Sequence, residues 1–219
     1  DFIIKCDQLQ NKCYIAETYN YCKPNISDKE LNNASYMKFK GLRHPLIERL
    51  NTQELYVPND LYFTNETNGY ILYGTNAVGK TSFIKSIGIA IIMAQAGIFV
   101  PAEEFNYSIY KSIYTRILGN DNLFKGLSTF AVEMTELRSI LKNANQYSLV
   151  LGDELCSGTE TTSALSIFTA GVHFLAKKNV SFIFASHFHE VINYDEIENI
   201  SNLKLKHLSV EYNKEKDIL

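Results

Sequence analysis

The stretch from Gly74 to Thr81 constrains the fold of this chain more than any other. It reads Gly-Thr-Asn-Ala-Val-Gly-Lys-Thr and fits the pattern G-x-x-x-x-G-K-[ST] at every fixed position. The short apolar run 70–73 precedes it, and the long, proline-free apolar segment 82–96 follows it. A strand, a glycine-rich loop and a helix in that order form a cradle for phosphate, because backbone N–H groups and the helix N-terminus point at the anion. An ordinary glycine turn that caps a helix is the weaker alternative.

Each residue type in this loop has a physical role in binding a nucleoside triphosphate and Mg²⁺. We expect Lys80 to reach the β- and γ-phosphates, and the hydroxyl group of Thr81 to ligate Mg²⁺. The whole predicted phosphate-binding set is Gly74, Thr75, Asn76, Ala77, Val78, Gly79, Lys80, Thr81 and Ser82.

The rest of the chain alternates between strand-like and helix-like patterns. Buried strands are predicted at 148–152 and 180–186, and helices with apolar periodicity at 81–96, 130–144 and 162–178. Further strands are predicted at 37–42, 56–63 and 107–118, and the polar segment 19–35, which contains Pro24, is predicted to be a loop. This alternation predicts an α/β fold with a mostly parallel sheet and helices packed against it.

Two carboxylates follow the apolar strand 148–152, at a position where ligands of such sheets converge. Asp153 suits a Mg²⁺ ligand, bound directly or through water. Glu154 suits a general base that polarises the attacking water. Two solvated acids that close a strand are the alternative, and the nearby glycine-rich loop makes it the weaker one.

Three further positions are candidates with competing interpretations. His187 follows the strand 180–186 and suits a hydrogen bond to the γ-phosphate or the attacking water, whereas His189 is better explained as an ordinary edge residue. Residues 126–130, with Ser128, open a helix and form a second anion site or a plain helix cap. Tyr56 suits stacking on adenine, and packing in the core explains it equally well.

Composition sets limits on the function class. The chain has 219 residues and a net charge of −3, which argues against gripping nucleic acid through bulk positive charge. No stretch reaches the 18 or so apolar residues of a membrane span. The four cysteines form no C-x-x-C pair, which indicates reduced thiols in an intracellular, reducing compartment. Both ends look cut, so we expect a piece of a longer protein.

Together these motifs resemble the MutS family of DNA mismatch-recognition ATPases, over about Leu42 to Leu208. The most specific blocks are 126–130 with Glu133-Met134, and Ala-Ser-His-Phe-His-Glu at 185–190. The other matching blocks are 43–45 (Arg-His-Pro), 74–81, 93–97, 99–102 and 153–155 with Gly158-Thr159.

The resemblance implies a P-loop NTPase of the ABC-ATPase type with an antiparallel β subdomain, which hydrolyses ATP with Mg²⁺. It implies a homodimer or a MutS-like heterodimer with composite ATP sites, in which Ser128 acts on the γ-phosphate held by the partner. By the same match Tyr56 stacks on adenine and His187 is a switch histidine. Residues 1–35 would end a helical core or lever segment and its linker, and 36–219 would be the ATPase domain. Mismatched double-stranded DNA would be bound by domains absent from this chain, and no membrane is involved.

The chain departs from the family pattern in two places. The usual Gly-Arg-Gly-Thr after Asp-Glu-Leu reads Cys-Ser-Gly-Thr at 156–159, so the arginine is lost and communication between the two sites is expected to differ. The glycine-rich loop has Thr75 and Ala77-Val78 where Pro and Met-Gly are common, which leaves Lys80 and Thr81 in place. The divergence suggests a viral or organellar branch. The family's dimer-closing helix-turn-helix would lie beyond Leu219, so weak or ATP-dependent dimerisation is expected.

Two other function classes compete with a mismatch-repair ATPase. One is a nucleotide-gated dimerisation or recruitment module with little hydrolysis, which the lost arginine leaves open. The other is a transporter-type or chromosome-type ABC ATPase. Its Leu-Ser-Gly-Gly-Gln signature is replaced by Gly-Leu-Ser-Thr-Phe at 126–130, which disfavours it.

Overall fold

The computed structural model describes residues 1–27, 34–50, 56–64, 66–75, 78–117, 129–153, 155, 160–186 and 194–209. The helices within these ranges are α1 (Phe2–Tyr19), α2 (Ile47–Leu50), α3 (Lys80–Gln95), α4 (Thr129–Asn143), α5 (Thr161–Lys177) and α6 (Asp195–Glu198). The strands are β1 (Asn25–Ile26), β2 (Met37–Leu42), β3 (Asn59–Phe63), β4 (Gly69–Tyr73), β5 (Glu104–Tyr107), β6 (Ser112–Arg116), β7 (Ser148–Asp153), β8 (Ser181–Ser186) and β9 (Leu203–His207).

A five-stranded sheet positions the candidate site. Its order is β6-β7-β8-β4-β9, and every neighbouring pair is parallel. Asp153 pairs with Ala185, and Tyr73 pairs with Ser186, so β4, β7 and β8 end at one edge. The predicted α/β class is confirmed, and this sheet is entirely parallel.

A second, four-stranded sheet has the order β1-β5-β2-β3. Strand β2 runs antiparallel to β3 and β5, whereas β1 pairs with β5 in parallel. The sheet is therefore mixed: the pairs of β2 agree with the expected antiparallel β subdomain, and the short parallel pair of β1 and β5 departs from it. The two residues of β1 are too few to show a periodic pattern, and they lie in a segment predicted to be a loop.

Helix α3 lies between the two sheets, and this arrangement follows from the alternation of side chains along the strands. On β7, Leu149 and Leu151 join the buried cluster formed by α3 and the mixed sheet, whereas Val150 joins the cluster formed with α5. On β8, Phe182 and Phe184 likewise face α5. The layers are therefore the mixed sheet, α3, the parallel sheet, and then α4, α5 and α6.

Several predicted boundaries shift, and some elements are new. Of the strands expected at 107–118, β6 covers Ser112–Arg116, whereas β5 begins earlier, at Glu104, and ends at Tyr107. Helix α3 ends at Gln95, and Gly97 takes a left-handed conformation (φ 71°) just beyond it, as expected for a glycine that stops a helix. The sequence interpretation did not include α6 and β9, although Leu203 and Leu205 alternate with lysines.

Two findings concern the environment of the chain. Over the described ranges, no helix combines the length and apolar character that crossing a membrane requires. Cys6, Cys13 and Cys22 are free thiols. The fourth cysteine, Cys156, lies outside the described residues.

Candidate functional site

The glycine-rich loop begins where β4 ends and stops where α3 begins, and two of its glycines are required by the backbone. Gly74 has a φ of 150°, and a Cβ atom there would lie 2.3 Å from the carbonyl oxygen of Leu208. Gly79 has a φ of 88°, in the left-handed region, directly before the first residue of α3. A side chain at either position would strain the loop. The carbonyl of Leu208, just past β9, therefore helps to fix the loop, which the sequence did not indicate.

Lys80 is a buried cation that points back into the loop. Lys80 is only 5% exposed, and its Nζ donates hydrogen bonds to the carbonyl oxygens of Gly74 and Thr75 at 2.7 Å each. Phosphate oxygens are stronger partners for an ammonium group than carbonyl oxygens are. The ammonium group is therefore held where it can transfer hydrogen bonds to an anion in the loop.

Thr81 and Asp153 meet at the foot of the same loop. The Thr81 hydroxyl group donates to Asp153 Oδ2 at 2.5 Å, which joins the first turn of α3 to the end of β7. Asp153 is 4% exposed, and its other oxygen, Oδ1, is buried without a hydrogen-bond partner in the described part of the chain. A buried carboxylate oxygen without a donor is costly.

This pair of oxygens fits a Mg²⁺ ion held by few protein ligands. Mg²⁺ is a hard cation that prefers oxygen, and it is commonly bound by one or two protein groups together with water and substrate phosphates. Within the described ranges, no group of three or more His, Cys, Asp or Glu side chains is placed to hold a metal. One carboxylate and one hydroxyl group are suited to a Mg²⁺ ion whose other ligands are water and phosphate.

Tyr56 lies beside α3, close to the loop. Its hydroxyl group shares a side-chain hydrogen bond with Ser86, and burial raises the pKa of the phenol, with the charge of Glu48 adding to the rise. The phenol therefore stays neutral at physiological pH, and its hydroxyl group meets the second turn of the helix that starts at Lys80.

Several predicted site residues lie outside the described residues, namely Asn76, Ala77, Ser128, Glu154 and His187. Their chain neighbours are placed. Asp153 directly precedes Glu154, and buried Ser186 directly precedes His187, at the ends of adjacent strands. Helix α4 begins at Thr129, directly after Ser128.

Three further residues of the predicted phosphate-binding set lie within the described ranges. Thr75 is exposed and contributes its carbonyl group to Lys80, while Val78 and Ser82 are half-buried. Their predicted role in binding phosphate stays a prediction.

Arg116 is a further cation at this edge of the sheet that the sequence interpretation missed. It ends β6 and pairs with Gly152, one residue before Asp153. Its Nε lies 3.1 Å from Glu136 Oε2 on α4, and its side chain is 14% exposed. The feature that could have indicated Arg116 is its position at the end of β6, which pairs with β7, the strand that ends at Asp153.

Comparison with known proteins gives a family match. A family model described as MutS domain V matches residues 70–219. This span contains the glycine-rich loop, Asp153 and both of the more specific sequence blocks.

Three relatives illustrate the range of similarity. A mutS homolog of Acanthamoeba polyphaga mimivirus, named as a DNA mismatch repair protein, is 40% identical over 100% of this chain and 22% of its own length. A mitochondrial DNA mismatch repair protein mutS homolog of Sarcophyton glaucum is 36% identical over 96% of this chain and 21% of its own length. A DNA mismatch repair protein MutS of Prochlorococcus marinus is 41% identical over 92% and 22%. The chain spans about a fifth of the length of these curated relatives.

Proposed function

The chain belongs to the MutS family, and from this premise we propose that it is a P-loop ATPase domain of the ABC type that binds and hydrolyses ATP with Mg²⁺. The observation that carries the proposal is the contact between Thr81 and Asp153 at 2.5 Å, beneath a glycine-rich loop that holds a buried lysine. The buried, unpartnered Oδ1 of Asp153 supports a cation at this point.

The chain's own residues bind and orient the triphosphate. The loop backbone and Lys80 hold the β- and γ-phosphates, and the N-terminus of α3 adds partial positive charge. Thr81 and Asp153 hold Mg²⁺, which neutralises phosphate charge when bound. Tyr56 packs against the adenine ring.

Hydrolysis needs groups at the carboxyl edge of the parallel sheet. Glu154, directly after Asp153, orients the water for in-line attack on the γ-phosphate and accepts its proton. His187, directly after buried Ser186, hydrogen-bonds the γ-phosphate or the same water. Ser128 of a partner chain, the residue directly before α4, stabilises the charge that develops on the γ-phosphate.

We further propose that this ATPase works as a dimer, homomeric or with a MutS-like partner, and that its cycle is coupled to recognition of mismatched double-stranded DNA. The names of the relatives support mismatch repair as the process. The net charge of −3 supports placing DNA contacts outside these residues. We assign residues 1–35 to a helical lever and linker and residues 36–219 to the ATPase domain. The free thiols support a reducing intracellular compartment.

A second candidate function is a nucleotide-gated dimerisation module with little hydrolysis. The loss of the family's arginine at 156–159 favours it, because that loop crosses the dimer interface in the family. Dimerisation that depends on ATP and releases no phosphate would support this module over the enzyme.

The replacement Asp153→Asn tests the metal site. The wild-type chain is expected to bind ATP more tightly with Mg²⁺ than with EDTA. The amide removes the charge but keeps the shape, so we expect Mg²⁺-dependent affinity to fall about 10- to 100-fold while affinity in EDTA stays unchanged. Equilibrium titration with a fluorescent ATP analogue measures both.

The exposed Asp195 on α6 offers a matched control, and Asp195→Asn should change neither affinity. Equal weakening of Asp153→Asn with and without Mg²⁺ would remove Asp153 from the metal site and point to a general structural defect.

A further inference from the structure

The Arg-His-Pro block at 43–45 has no role in the proposed chemistry, yet Arg43 makes a distinctive set of contacts. It follows directly after β2, and its Nη2 donates to the carbonyl oxygens of Tyr19 at 2.8 Å and Asn20 at 3.1 Å. These are the last residue and the C-cap residue of α1. The last carbonyl groups of a helix lack partners within the helix, and they form its negative end, so a guanidinium group there is favourable.

Glu48, on α2, bonds both to Arg43 and to Tyr21, which follows the end of α1. Arg43 Nε lies 2.7 Å from Glu48 Oε2, and the two side chains are 19% and 16% exposed. Tyr21 donates its hydroxyl group to Glu48 Oε1 at 3.1 Å. Burial, and then the charge of Glu48, raises the pKa of Tyr21 to about 12, so the phenol remains a donor. The backbone of Cys22 pairs with that of Val100 through two hydrogen bonds of 2.9 Å.

We refer to Tyr19–Cys22, Arg43 and Glu48 together as the α1 joint. Each of the four consecutive residues Tyr19–Cys22, which end α1 and follow it, is hydrogen-bonded to the rest of the domain. The rest of α1 contrasts with this, because α1 has no buried residue. Lys12 donates to the carbonyl oxygen of Gly97 at 3.2 Å, but this contact is exposed. A change in the orientation of α1 therefore acts on the domain mainly through the α1 joint.

The α1 joint includes Glu48 of α2, the helix that precedes Tyr56 in the chain, and the charge of Glu48 acts on Tyr56. His44, next to Arg43, accepts hydrogen bonds at Nδ1 from the backbone N–H groups of Leu46 and Ile47, both at 3.3 Å, and so caps the start of α2. Burial lowers the pKa of His44, and the charge of Lys85 lowers it further, so the imidazole stays neutral and keeps an acceptor at Nδ1.

Tyr56 contacts α3 at the residue that follows Lys85. Its hydroxyl group bonds to Ser86, next to Lys85, and the charge of Glu48 acts on it. The charge of Lys85 acts on His44, which caps α2, and Tyr56 bonds to Ser86, so the cap of α2 and Tyr56 both lie near one turn of α3, about 9 Å along the helix from Lys80.

We propose that Arg43 is a positioning residue that couples the orientation of α1 to the seat of the nucleotide's purine base. Arg43 holds the end of α1 and Glu48 of α2 in one fixed relation, and this relation sets where the ring of Tyr56 lies. The inference rests on the proposed function, in which Tyr56 stacks on adenine. Rotation or release of α1 would then change affinity through the base and leave the phosphate end of the site intact.

The test compares MgATP with magnesium tripolyphosphate, which has the phosphates but no base. Arg43→Lys keeps the positive charge and loses the planar fork that reaches Glu48 and two carbonyl groups at once. We expect its affinity for MgATP to fall about tenfold, within the range that base stacking contributes. Affinity for tripolyphosphate should be unchanged in the intact chain. A variant that was merely destabilised would lose affinity for both ligands.

Three variants complete the comparison. Arg138→Lys, at an exposed position on α4, is the matched control and should bind both ligands normally. Tyr56→Ala should reproduce the selective loss of ATP affinity. Tyr21→Phe removes only the hydrogen bond to Glu48 and should give a smaller loss, about threefold, in the same direction. This variant decides the question if Arg43→Lys does not fold.

The outcomes separate this inference from the function on which it rests. If Tyr56→Ala weakens ATP binding while Arg43→Lys and Tyr21→Phe bind ATP like the wild type, the coupling is overturned and the base site stands. If the wild type binds ATP no more tightly than tripolyphosphate, the stacking role of Tyr56 fails, and the inference fails with it. A selective loss of ATP affinity in Arg43→Lys, Tyr56→Ala and Tyr21→Phe, with normal binding by Arg138→Lys, supports the coupling.

Discussion

Glu154→Gln is expected to leave ATP binding intact and to lower steady-state turnover about 100- to 1,000-fold, the range in which a general base contributes to a rate. Glutamine has the size of glutamate but cannot accept the proton of the attacking water. Asp153 stays in place one residue earlier, at the end of β7, so the metal site and the loop are unaffected. Phosphate release under saturating MgATP, together with an ATP-binding titration, measures the two effects separately.

Exposed Glu196 on α6 is the matched control, and Glu196→Gln should keep full turnover. If Glu154→Gln keeps turnover within about twofold of the wild type, Glu154 has no part in proton transfer. Loss of ATP binding by the same variant would instead assign it to the binding site.

Lys80→Met is expected to abolish measurable ATP binding, with an affinity loss of at least about 100-fold, because charge-assisted hydrogen bonds to phosphate are among the strongest in proteins. Methionine has a similar length and no charge. The change also leaves the carbonyl groups of Gly74 and Thr75 without the donor that now lies 2.7 Å from each. Some loss of stability is therefore expected, and thermal unfolding must accompany the binding titration.

Lys177→Met, in the last turn of α5 and exposed, is the comparison variant and should bind ATP normally. A folded Lys80→Met chain that binds MgATP with wild-type affinity would show that the glycine-rich loop is not the phosphate site.

The order of strand, glycine-rich loop and helix could be predicted because each part has a strong local signal. The run 70–73 is apolar, the fixed residues of the loop are specific, and α3 repeats its apolar residues with helical periodicity. The side-by-side endings of β7 and β8 follow from the same reasoning, since parallel strands place their carboxyl ends at one edge. The mutual contact of Thr81 and Asp153, 72 residues apart, fits that expectation.

What the sequence did not reveal depends on contacts between distant segments or on very short elements. The two residues of β1 and the four of α6 cannot establish a period. The carbonyl of Leu208 constrains Gly74 through space, and a main-chain oxygen has no sequence signature. Arg43 was visible as part of a motif, but its contact with the end of α1, 24 residues earlier, was not. The roles of Ser128, Glu154 and His187 remain predictions.

ATP turnover with Mg²⁺, measured over a wide range of protein concentration, tests the central claim most directly. If two chains build each site, with Ser128 of one acting on the nucleotide of the other, activity per chain must rise with concentration as dimers form. We predict that rise, and we predict that Ser128→Ala removes it. Measurable activity that stays flat over the whole range would mean that one chain completes its own site, and the composite-site account would be wrong. ATP binding with no phosphate release at any concentration would contradict the enzyme itself.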